Sequence, residues 1–135
     1  MHLTPQHALI YLMVTLSAAD RTMTDRELRR IGSIVRNLPV FAQFDEDELP
    51  AVSSACADML GGDAGLNGVL SAAFDALPAR FADTAYALAV EVAAADLFAS
   101  QEELRLLEMI GDKFGTDPLM RAAIEASARV RHRTG

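Results

Sequence analysis

Two stretches of this chain are copies of one another. Aligned at an offset of 76 residues without a gap, residues 12–34 and 88–110 agree at nine of 23 positions. Alanine and leucine matches between helices arise easily by chance, so the polar frame decides the case. Each copy ends an apolar helix in Ala-Ala-Asp, at Asp20 and again at Asp96. A three-residue turn follows, then a cap, Thr24 or Ser100, and then a Glu three residues on, Glu27 or Glu103. A Thr or Ser followed at that spacing by Glu is a capping box, in which side chains and amides satisfy each other at a helix start. The frame therefore predicts one design used twice: two antiparallel helix hairpins, with Leu12, Leu28, Leu88 and Leu104 in a shared core.

The rest of the chain supports helices and offers no period-two alternation for a strand. Thr4-Pro5 opens the first helix with a cap and a first-turn proline, and Leu9, Leu12, Met13 and Leu16 mark its buried face. Thr24 starts a second, whose Leu28, Ile31 and Val35 stripe runs out before Pro39. Asp45 to Glu48 starts a third, with Phe44 and Leu49 as a hydrophobic staple, and Gly61-Gly62 stops it. Residues 63–77 and 79–96 supply two more on either side of Pro78, Ser100 boxes a sixth, and Asp117-Pro118 caps a seventh. The expected fold is all-α: about seven helices in one compact single-domain bundle holding the two pseudo-repeated hairpins. At 135 residues and 51% hydrophobic, the chain has enough apolar material for one core. The domain is expected over residues 1–130, with 131–135 a frayed basic tail.

Charge narrows the function classes. The net charge is −7, and it is unevenly spread: residues 121–135 hold four Arg against one Glu, a local +3, which leaves −10 on residues 1–120. An acidic body of that size repels phosphate backbones and anionic lipid surfaces, so no nucleic-acid partner is expected. One cysteine, Cys56, excludes an internal disulfide and a thiolate metal cage, which suits a reducing compartment. The apolar run from Ala8 to Ala19 is twelve residues, too short to cross a bilayer. A cytoplasmic protein with no direct membrane span is expected.

The carboxylates of the repeat are the candidate site. An Asp at the last turn of a helix faces the negative end of the macrodipole, which costs roughly 0.3 to 1 kcal/mol without compensation. Asp20 and Asp96 do this twice. The partners open to them are the free amides of the next helix, an arginine, or a bound cation. Glu27 and Glu103 are explained as caps alone, taken singly. If the hairpins pack about a pseudo-twofold axis, the turns bring Asp20, Glu27, Asp96 and Glu103 together as an oxygen-only set suited to calcium, magnesium or manganese. The spacing is not that of an EF-hand loop, and no Glu-x-x-His pair marks a di-iron site.

The pattern Ala-Ala-Asp-x3-Thr/Ser-x2-Glu-Leu, present twice in a small acidic helical chain, resembles the tellurite-resistance TerB family over residues 5 to about 130. The resemblance implies a helical, cytoplasmic and non-enzymatic module tied to tellurite resistance and stress response, with membrane-linked protein partners and paired acidic turns as cation sites. Its acidic marks fall on Asp20 and Glu27 in one copy and on Asp96 and Glu103 in the other. Where the family often has Gly after the Asp, this chain has Arg21 and Leu97.

Other features carry less. His2, His7 and His132 lie near the termini, away from any nucleophile, and Cys56 in Ser-Ser-Ala-Cys-Ala reads as a small core residue. Gly61-Gly62-Asp63-Ala64-Gly65 has no following Lys and reads as a helix break rather than a phosphate cradle. Phe41 and Phe44 are expected to cover the core, with a partner groove as the alternative. The Arg129, Arg131 and Arg133 group suits a helix C-terminus, or an acidic partner or anionic surface. Two rival functions remain: a small metal-dependent enzyme built on the same carboxylates, and a structural dimerisation unit forming a homodimer.

Overall fold

The computed structural model describes residues 3–19, 23–95 and 100–135. Among them run seven α-helices and no strand: α1 (Pro5–Ser17), α2 (Asp25–Asn37), α3 (Leu49–Leu60), α4 (Gly65–Ala76), α5 (Ala82–Ala94), α6 (Gln101–Phe114) and α7 (Pro118–Arg131). Short 3-10 turns at Pro39–Phe41, Glu46–Glu48 and Ala79–Phe81 fill the joints. The all-α expectation holds, and so do most helix boundaries, because the chain marks them chemically. Thr4 accepts from the His7 amide ahead of Pro5, and Asp117 accepts from the Leu119 and Met120 amides ahead of Pro118. Gly115 closes α6 in the left-handed conformation, at φ 66°, and Gly65 opens α4 at φ 54°.

The core is built around α1, which packs against α3, α4 and α5 and touches α2 and α6. The sequence suggested a one-sided apolar face here. Instead every residue from Ala8 to Ser17 is buried. Residues 8–17 contain no charge, and a helix apolar all round belongs inside a bundle. Its buried Thr15 fits because the hydroxyl donates to the Tyr11 carbonyl at 2.7 Å and meets the Cys56 sulfur at 3.7 Å. The α5 helix is the second centre, packed against α1, α6 and α7. The leading helices of the two hairpins thus meet in one core, with Leu12 and Leu88 both buried.

One expectation fails within this frame. Leu28 packs partly on the core, but Leu104 is 49% exposed. The buried arc of α6 is Glu103, Leu106, Leu107, Ile110 and Gly111, and at 100° per residue Leu104 falls just past its edge. Phe41 is buried and Phe44 packs beside it, ring centroids 6.3 Å apart, so this pair covers the core as expected. The glycine-rich segment is the helix break, with Gly61 capping α3.

Candidate end of the bundle with two capped turns

Both capping boxes form completely. In the first, Thr24 Oγ1 accepts from the Glu27 amide at 3.2 Å, while Glu27 Oε1 accepts from the Thr24 amide at 3.0 Å and from its hydroxyl at 3.0 Å. In the second, Ser100 Oγ accepts from the Glu103 amide at 3.0 Å, and Glu103 Oε1 accepts from the Ser100 amide at 3.1 Å. Glu27 and Glu103 are 6% and 5% exposed. Cap carboxylates on a free helix end normally stay wet, so burying both at matching positions ties the starts of α2 and α6 into the bundle wall.

Asp20 and Asp96, with Arg21 and Leu97 after them, lie outside the described residues. Of the four carboxylates singled out by the repeat, the structure therefore positions Glu27 and Glu103. Among the described residues no three His, Cys, Asp or Glu side chains gather as a metal-binding group.

The residues flanking the turns do converge. A groove of about 550 Å³ is lined by Thr15, Ala18 and Ala19 at the end of α1 and by Gln101, Glu102 and Arg105 in the opening turns of α6, over a floor that includes Leu60, Leu66, Leu106 and Met109. The helix end feeding the first turn and the helix start following the second thus share one groove. A second groove of similar size shares Ala18 and Leu60 with it and reaches Met23 and Leu28 at the start of α2. The last turn of α1 is a wall common to both. This apolar relief was not read from the sequence, because its residues come from helices far apart in the chain and look individually like core.

The family model for the tellurite resistance protein TerB matches residues 6–128. The chain belongs to the TerB family. No curated protein and no solved structure matches it significantly. The match spans all seven helices of this TerB domain except the first residue of α1 and the last turn of α7. No helix among its described residues is long and apolar enough to cross a membrane.

Two other groups complete the chemistry of the TerB domain. Cys56 is fully buried, its sulfur 3.5 Å from the Tyr11 carbonyl, and burial pushes the thiol up to about 11, against a smaller lowering by the Thr15 hydroxyl. It stays protonated at neutral pH, as a small core residue does. The C-terminal residues hold a second cluster. Glu91 on α5 accepts from Arg131 and lies 2.6 Å from His132 Nε2, and Tyr86 donates to Glu125 at 2.8 Å. Burial raises the Glu91 carboxyl, but the hydrogen bonds and charges of Arg131 and His132 outweigh it and hold the group below its usual range. Tyr86 is pushed up to about 12, by burial first and then by its bond to the Glu125 carboxylate.

Proposed function

We propose that this TerB domain is a non-enzymatic, cytoplasmic binding module of a tellurite or general stress response. In this reading it takes a hard divalent cation, calcium, magnesium or manganese, at the end where its two capped turns lie. The observation that carries it is the shared groove: Ala18 and Ala19, leading into one turn, face Gln101 and Glu102, just after the other. Such proximity favours pooling the repeated carboxylates Asp20, Glu27, Asp96 and Glu103 in one site. Their chemistry fits, since all are hard oxygen donors without an imidazole or thiolate among them. The two buried glutamates strengthen the fit, because a carboxylate held out of water gains most from a nearby positive charge.

A second reading has its own observation. The apolar grooves on either side of the α1 terminus suit a protein partner, one associated with a membrane being the case the family implies, so that the cation orders the surface on which the partner docks.

Thermal unfolding tests the cation. A ligand bound by the native state alone stabilises by about 2.7 kcal/mol at a hundredfold excess over Kd. A divalent ion should therefore raise Tm by several degrees over sodium at equal ionic strength, and Asp20→Asn with Asp96→Asn should remove the gain. If wild type and double variant respond alike to every divalent ion, the carboxylates are caps only and the groove reading stands alone.

A further inference from the structure

The helix α7 buries one face and leaves the opposite one apolar. Its inner side is thin, with Ala128 buried and Ile124 half-buried, and its hold on the body is largely polar, through Arg121, Glu125, Arg131 and His132. On the outer side Leu119 is 79% exposed and Val130 is 59% exposed. Leu119, Ala123, Ala126 and Val130 follow one another at spacings of four, three and four and lie along a single line of the helix. With Ala123 and Ala126 exposed between them, Leu119 and Val130 make one continuous apolar stripe with no described neighbour in the chain packed over it.

Charge says what covers it. Of the four arginines after residue 120, Arg121 is engaged by Asp112 and the Thr116 carbonyl, and Arg131 by Glu91. Among the described residues, Arg129 and Arg133, beside the apolar line at its C-terminal end, make no ion pair. The N-terminal end of the same helix carries the exposed N-cap Asp117, one turn below Arg121. We propose that the outer face of α7 is a self-association surface on which a second copy of this chain docks antiparallel. With the twofold axis between Ile124 and Glu125, Leu119 of one copy opposes Val130 of the other and Ala123 opposes Ala126. Arg129 and Arg133 are then carried toward the partner's acidic helix start. The small central residues let the helix axes approach to about 8 Å, the near end of the usual range. A surface that is its own complement under a twofold is what an isologous dimer requires. An anionic membrane fits less well, because the −10 of residues 1–120 sits behind the two arginines.

Fourteen residues of helix give a line of roughly 21 Å, short of a standard stable interface, so the dimer is weak and concentration-dependent. Sedimentation of the full chain from 10 µM to about 1 mM is the test. The expected result is a reversible monomer–dimer equilibrium, weakened at least tenfold by Leu119→Lys and severalfold by Arg129→Glu with Arg133→Glu. Circular dichroism should stay unchanged, since all three side chains point away from the core. Ala126→Cys, close to the axis, should be linked to its counterpart by a short bis-maleimide. A chain that stays monomeric throughout overturns the proposal, as does a dimer that Leu119→Lys leaves intact. Binding of anionic vesicles by a monomeric chain assigns the face to lipid and overturns it too.

Discussion

Single residues of this TerB domain act mainly by closing helix ends and fitting close contacts. Thr24 and Ser100 each complete a box around a buried glutamate. Replacing either by Ala should cost about 1 kcal/mol, read as a shifted urea midpoint at constant slope. Near-equal losses in the two copies are the mark of one design used twice. Gly111 presents a finer case. A Cβ there would lie 2.7 Å from Arg121 Cζ, and Arg121 is held at 2.8 Å to the Thr116 carbonyl and 3.1 Å to Asp112. Gly111→Ala gains roughly 0.5 to 1 kcal/mol of helix propensity but must push the guanidinium off these partners. The expected result is a double-mutant cycle with coupling: near-neutral in wild type, stabilising by about 1 kcal/mol in an Arg121→Ala background. Equal effects in both backgrounds would show that Arg121 yields freely.

At the scale of elements, caps and breaks were legible in the sequence and long-range polar pairing was not. Thr4-Pro5, Thr24, Ser100, Asp117-Pro118 and Gly61-Gly62 all sit at ends of helices, because each acts on its own backbone within a few residues. Leu104 was misplaced because the repeat fixes spacing along α6 but not which neighbours cover the edge of its buried arc. Glu91 escaped notice for a different reason: its partners Arg131 and His132 lie 40 and 41 residues away, and only packing brings them together. This cluster pins α7 to α5, and its pH dependence has a definite sign. The Glu91 carboxyl is lower in the folded state than in the unfolded chain, so its contribution is present above the ordinary glutamate range, about 4.3, and lost as pH falls through the folded value. Glu91→Gln should cost roughly 0.5 to 1 kcal/mol at pH 7, the ordinary size for a partly exposed pair, and less at an acid pH where the folded carboxyl is protonated. Urea melts at the two pH values read the difference; an equal cost at both would mean that charge is not what holds the helix.

For the whole molecule, the duplication foretold that two hairpins build one core, and the buried α1 and α5 at its centre bear this out. Legibility fell off at the candidate site. The repeat named four carboxylates, and two of them, Glu27 and Glu103, are seen buried in their boxes, while Asp20 and Asp96 lie outside the described residues. A one-dimensional pattern also gave no hint of the grooves beside them, since a groove is defined by what neighbouring helices fail to fill. The central claim is that the two turns act as one hard-cation site. Calorimetric titration of the full chain with calcium, magnesium and manganese tests it most directly. The account predicts saturable binding of at least one of them at one ion per chain, abolished by Asp20→Asn alone and by Asp96→Asn alone, because both turns are needed. Absence of binding for all three ions, or binding that survives the two substitutions combined, would contradict it.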